Sequence, residues 1–93
     1  LVGDREVIDF YAARLDCTEA LAGAVQSGAV AFEAAASLCT APKPGVIAAE
    51  AGRATVAYAR HAIAMVQRGA ADAVVAAPHN ETAVAKAGIP FSG

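Results

Sequence analysis

The sequence has little charge and no long apolar run, and each shortage excludes a class of function. Only 17% of the 93 residues are charged and the formal net charge is −2. Such a balance does not favour binding to nucleic acid or to an anionic membrane surface through charge. The longest uncharged stretches, such as residues 20–32, fall short of the ~20 apolar residues that a membrane span needs. No secretory signal is visible, because no basic segment followed by an apolar core opens the chain.

Cysteine is also scarce. Cys17 and Cys39 lack the CxxC spacing and the nearby histidine pair that are typical of zinc and redox sites. Free thiols of a cytoplasmic protein are the simpler interpretation, and no metal ligands are predicted within the chain. A GxGxxG fingerprint is absent too, which excludes a nicotinamide cofactor bound by the usual Rossmann turn within these residues.

The first third of the chain predicts a strand followed by two helices. Residues 1–3 have the pattern of a strand end, and Asp4 is a good N-cap for a helix that continues to about residue 16. Thr18 is the predicted cap of a second helix, which Gly28 ends.

The middle of the chain predicts a long helix after an irregular stretch. Residues 29–32 are predicted as a short strand, residues 33–38 stay open between helix and strand, and the two prolines of residues 40–45 indicate a loop. Residues 50–69 form the clearest helix, with an apolar row on one face. His61 lies at the margin of its polar face, where a surface histidine is expected.

The last third contains a polar turn between a predicted strand and a short helix. Residues 73–77 are an apolar run of strand length, which is typical of a strand covered on both faces, and Pro78 stops the ladder. A helix over residues 82–87, closed by Gly88 in the left-handed conformation, is predicted next. The turn between them consists of four consecutive polar residues: His79, Asn80, Glu81 and Thr82.

The polar turn has two interpretations. In open α/β sheets ligands bind outside the carboxyl ends of the strands, so the turn is a candidate substrate site. His79 could act as an acid or a base, Asn80 could hold a hydroxyl or a carboxylate, and Glu81 could accept a proton. Alternatively, Asn80 or Thr82 is an N-cap and Glu81 stabilises the first helical turn without any chemistry.

Strands that alternate with helices, without hairpin signals, predict an α/β fold built of crossover units around a parallel sheet. Three segments also carry a family resemblance: residues 87–93 (AGIPFSG), residues 50–69, and more loosely residues 1–4. Together they resemble the 4-hydroxythreonine-4-phosphate dehydrogenase family of pyridoxal phosphate biosynthesis.

This resemblance implies a three-layer fold of the isocitrate and isopropylmalate dehydrogenase type, of which residues 1–93 form part of a single domain. It also implies an NAD-dependent oxidation of a hydroxy acid followed by decarboxylation, carried out by a homodimer in the cytoplasm. A divalent metal (Zn, Mg or Co) would be held by histidines outside this chain. The chain alone is therefore not expected to be catalytic, and its catalytic and cofactor-binding residues stay unknown.

The candidate substrate-binding residues are His79, Asn80 and Glu81, and they depart from the family pattern. Asn80 fits, but His79 stands where a small hydrophobic residue is usual, and Glu81 replaces the usual lysine. The turn is similar to that of a branch that includes the terephthalate cis-dihydrodiol dehydrogenase, whose substrate lacks phosphate. A non-catalytic small α/β domain and a phosphate-transferring enzyme remain alternatives.

Overall fold

A computed structural model describes residues 1–35 and 43–90 of the chain. These residues include two short strands, which pair in parallel with Val2 opposite Glu33 and Gly3 opposite Ala34. The α/β class with parallel strands is therefore confirmed, while the three-layer arrangement stays a prediction. The elements in chain order are β1 (Val2–Gly3), α1 (Arg5–Arg14), α2 (Thr18–Gln26), β2 (Glu33–Ala34), α3 (Ala49–Gln67) and α4 (Glu81–Lys86).

The first two helices form where the sequence predicts them, but their caps differ. Asp4 is the N-cap residue of α1 with extended backbone angles, yet its side chain makes no capping hydrogen bond. Its carboxylate accepts a hydrogen bond from the Tyr58 hydroxyl instead. Cys17, rather than Thr18, precedes α2, so the predicted Thr18 cap is wrong. The hydrogen bond across to α3 orients the Asp4 carboxylate toward Tyr58 rather than toward the first amides of α1.

The second strand lies slightly later in the chain than predicted. It comprises Glu33 and Ala34 instead of residues 29–32. Because the Glu33 amide donates to the Leu1 carbonyl at 2.8 Å, pairing with the first residues of the chain fixes its position. The end of the ambiguous stretch 33–38, the start of the loop 40–45 and Cys39 lie outside the described residues.

The predicted strand over residues 73–77 is wrong. This segment forms no regular structure, and Val75 is 97% exposed. A strand needs a neighbour that pairs with its backbone amides and carbonyls. Among residues 1–35 and 43–90, β1 and β2 pair with each other and no strand lies beside this segment.

The long helix α3 is the centre of the described structure, and it packs against α4 and β1. Its bounds confirm the prediction for residues 50–69 to within two residues at each end. Among the described residues, the buried apolar side chains come from α1, α3 and α4, and they are Ala12, Ala54, Ala83 and Val84. In the described part of the chain, no helix is long and apolar enough to cross a membrane.

Candidate functional site

The polar turn joins the irregular segment that ends at Pro78 to α4. Asn80 is the N-cap of α4, with φ −103° and ψ 110°, and its Oδ1 accepts a hydrogen bond from the Ala83 amide at 2.9 Å. Thr82 is already the second helical residue, so Asn80 is the cap of the two that the sequence allows. The capping hydrogen bond uses the oxygen of the Asn80 side-chain amide as its acceptor. The NH₂ group of the same amide is a hydrogen-bond donor that takes no part in the cap.

The neighbours of Asn80 lie on the surface. His79 and Glu81 are both exposed, one before the cap and one in the first turn of α4. A carboxylate in the first turn interacts favourably with the helix dipole, so Glu81 contributes to the helix whatever else it does. The structure therefore brings the three candidate residues together at one end of α4, accessible from solvent.

Small residues and one lysine hold α4 in place. Ala83 and Val84 are buried, with exposures of 5% and 1%. Near the other end, the Lys86 ammonium donates to the Ile47 carbonyl at 3.3 Å, just before α3 begins. Gly88 has φ +76°, which confirms the predicted left-handed ending of the helix. The turn thus precedes a helix that is fixed along its length.

A second group of polar residues links α3 to the strands. His61 Nε2 lies 2.8 Å from Glu33 Oε1, and Arg68 Nη2 lies 3.9 Å from the same oxygen. His61 is half-buried there, so it is more than the surface histidine that the sequence predicts. The two partners are 28 residues apart in sequence, and no local pattern signals such a contact.

Tyr58 makes a comparable link one turn earlier on α3. Its hydroxyl donates to Asp4 at the start of α1. Burial raises the pKa of Tyr58 from its usual 10.0 to about 12, and the hydrogen bond to Asp4 and the charge of that carboxylate add to the rise. Tyr58 therefore stays protonated near neutral pH and acts as a hydrogen-bond donor between α3 and the N-terminal region.

A metal centre does not fit the residues that the structure describes. Among residues 1–35 and 43–90, no group of three or more His, Cys, Asp or Glu side chains is placed to hold a metal ion. Hard and borderline metals need several such ligands around one point. Cys17 is a free, half-buried thiol. A metal-assisted reaction would need ligands from other residues.

The fold and the site together define an α/β protein with an exposed polar turn at the start of a helix. The sequence model for pyridoxal phosphate biosynthetic protein PdxA matches residues 1–93, so the chain belongs to the PdxA family. This confirms the resemblance found in the sequence. A curated relative is the 1,2-dihydroxy-3,5-cyclohexadiene-1,4-dicarboxylate dehydrogenase of Comamonas sp, which is 48% identical over 61 residues.

The aligned residues cover 66% of this chain and 19% of the Comamonas protein. The chain thus spans about a fifth of that relative's length. No solved structure matches the chain. The similarity supports the branch of the family to which the dihydrodiol dehydrogenase belongs.

Proposed function

We propose that this chain is part of a dehydrogenase that oxidises a non-phosphorylated hydroxy acid of the cis-dihydrodiol carboxylate type, with loss of carbon dioxide from the product. The 48% identity to the Comamonas dihydrodiol dehydrogenase is the observation that carries the proposal. Glu81 supports it, because a carboxylate near the substrate repels a phosphate group and tolerates a neutral diol.

The three candidate substrate-binding residues of the turn have separate roles in this proposal. The Asn80 NH₂ donates to a substrate hydroxyl or carboxylate while the Asn80 oxygen caps α4. His79 is the acid or base that exchanges a proton with the substrate. Glu81 disfavours substrates that carry a phosphate. These roles require that the turn is accessible to a substrate and that the helix after it is held in place. The turn is exposed, and α4 is anchored by its buried residues.

The divalent metal belongs to residues outside this chain in our proposal, and NAD binds without a GxGxxG turn of this chain, with a cytoplasmic homodimer as the complete enzyme. The described residues contain no metal-ligand cluster, and the sequence contains no GxGxxG turn. The roles assigned to His79, Asn80 and Glu81 therefore concern only the substrate.

Oxidation of 4-hydroxythreonine-4-phosphate is the second candidate function. The match of the whole chain to a pyridoxal phosphate biosynthetic family favours it. In this alternative, Glu81 serves only the first turn of α4, and other residues hold the substrate phosphate. The two candidates differ in one measurable property, which is the preference between phosphorylated and non-phosphorylated substrates.

The Glu81→Lys substitution tests the preference in the complete protein. NADH formation would be measured with 1,2-dihydroxy-3,5-cyclohexadiene-1,4-dicarboxylate and with 4-hydroxythreonine-4-phosphate. We expect the ratio of the two kcat/KM values to shift toward the phosphorylated substrate, because the charge near the phosphate is reversed. The shift should correspond to a difference in transition-state free energy of about 1–3 kcal/mol. Glu81→Gln, which removes the charge without reversing it, should give a smaller shift.

Glu19→Lys is the matched control, because Glu19 occupies the first turn of α2, a different helix from the one that the polar turn begins. It should cost about 0.3–1 kcal/mol of stability through the helix dipole and leave the preference unchanged. If Glu81→Lys behaves like this control, with a lowered melting temperature and an unchanged preference, Glu81 has no role in specificity.

A further inference from the structure

Gly52, in the first part of α3, lies against the backbone of α4. A Cβ atom at position 52 would lie 2.5 Å from the Val84 amide nitrogen and closer still to the Ala83 carbonyl. Real Cβ atoms essentially never approach other atoms to less than 3.0 Å. The obstacle is main chain, which cannot rotate aside as a side chain can. Any residue other than glycine at position 52 would therefore force the two helices apart.

The contact reaches the polar turn through Ala83. The Ala83 amide donates to Asn80 Oδ1, and the carbonyl of the same residue faces Gly52. Ala83 and Val84 are buried, so this part of α4 has little room to move in response. A displacement at position 52 would thus pass through one residue to the cap and to the two exposed side chains beside it.

We infer that Gly52 is a positioning residue that sets where His79, Asn80 and Glu81 stand relative to α3. The inference rests on the proposed function, since it assigns a purpose to the position of the turn. Gly52 itself touches no substrate. Its contribution is the absence of a side chain at the point where the two helices meet. Misplacement of substrate-positioning groups by about 1 Å lowers catalytic efficiency by roughly a hundredfold.

Gly52→Ala in the complete enzyme tests the inference, with Gly23→Ala as the matched control. Gly23 is also in a helix, but a Cβ there would meet no atom within 4 Å. We expect Gly52→Ala to raise the KM for the dihydrodiol dicarboxylate about tenfold or more and to change the preference against 4-hydroxythreonine-4-phosphate. Gly23→Ala should leave both unchanged.

The pattern of kinetic changes separates positioning from simple destabilisation. A residue that only stabilises the fold lowers the fraction of active enzyme, so the apparent kcat falls while KM and preference stay as in the wild type. That pattern in Gly52→Ala would overturn the inference. If Gly52→Ala does not fold, Val84→Ala gives a second test, because it removes two methyl groups from a buried side chain of α4 without adding an atom at position 52. An unchanged KM in that variant would overturn the inference as well.

Amide hydrogen exchange provides a readout that does not depend on activity. We expect faster exchange over residues 79–88 in Gly52→Ala than in the wild type, and no change there in Gly23→Ala. Equal exchange in both variants would overturn the positioning role whatever the kinetics show. Absence of NADH formation by the wild type with either substrate would instead reject the proposed function, so the two failures are distinguishable.

Discussion

The long helix α3 is packed differently against its two neighbours. Toward α4, the contact is apolar and close, with Gly52 against main chain and with Ala83 and Val84 buried. Toward the strands and the start of α1, polar side chains make the contact, Tyr58 to Asp4 and His61 to Glu33. The His61–Glu33 link is half-exposed, with 28% and 41% of the two side chains accessible.

The difference shows where a single substitution will matter. In the α4 contact, atoms have no free space, so adding or removing one carbon changes the packing directly. In the half-exposed His61–Glu33 contact, water can replace a lost partner, and exposed ion pairs contribute only about 0–1 kcal/mol. The polar turn depends on the first kind of contact. Its position should therefore be more sensitive to mutation than the attachment of the strands.

The largest difference is expected between two valines. Val84→Ala removes two methyl groups from a side chain that is 1% exposed, and it should lower the free energy of unfolding by about 2 kcal/mol. Val75→Ala removes the same atoms from a side chain that is 97% exposed and should change stability by less than about 0.5 kcal/mol. Chemical denaturation of the complete protein measures both.

An equal loss at the two positions would contradict this contrast. It would mean that Val75 is covered by contacts that residues 1–35 and 43–90 do not supply. A loss confined to Val84 would confirm that the α3–α4 contact carries the apolar stability of this part of the molecule.

Features governed by neighbouring residues could be predicted from the sequence. The ends of α3 and α4 were predictable because Gly69 and Gly88 are at the helix ends, and both have positive φ. The capping interpretation of Asn80 was available for the same reason, since an N-cap bonds to an amide three residues away. The candidate site itself, an exposed polar turn before a helix, is a local feature.

Features that need a distant partner could not be predicted. The run at residues 73–77 has strand composition, but composition does not supply a neighbouring strand. Asp4 has the chemistry of a cap, yet Tyr58, 54 residues later, takes its carboxylate. The glycine at position 52 gives no sign in the sequence that another helix lies against it. Tertiary contacts decide these cases.

The polar side of α3 can be tested through Tyr58. Tyr58→Phe removes the hydrogen bond to Asp4 and should cost about 1–2 kcal/mol at neutral pH, since the acceptor is a carboxylate. The exposed Tyr11 provides the control Tyr11→Phe, which should change stability by less than about 0.5 kcal/mol. Denaturation midpoints of the three proteins give the comparison.

The same variant predicts a pH dependence. The folded protein binds the Tyr58 proton more tightly than the unfolded chain, because the pKa is raised from 10.0 to about 12. This contribution to stability is complete below pH 10 and is lost as the pH rises toward 12. The difference between wild type and Tyr58→Phe should therefore narrow over that interval. A constant difference from pH 9 to pH 12 would contradict the assigned cause.

The smallest effect is expected at Gly88, and it separates two reasons for a glycine. Gly52 provides space, whereas Gly88 provides a backbone conformation: its φ is +76° and a Cβ there would meet nothing within 4 Å. Gly88→Ala should lower stability by about 1 kcal/mol through backbone strain alone. Gly88→Asn should recover most of that loss, because asparagine tolerates the left-handed region.

At position 52 no side chain can recover the loss of stability, so Gly52→Asn should be at least as harmful as Gly52→Ala. The melting temperatures of the four variants test this contrast. If asparagine restores stability relative to alanine at both positions, then position 52 requires glycine for its backbone conformation and not because a side chain lacks room there.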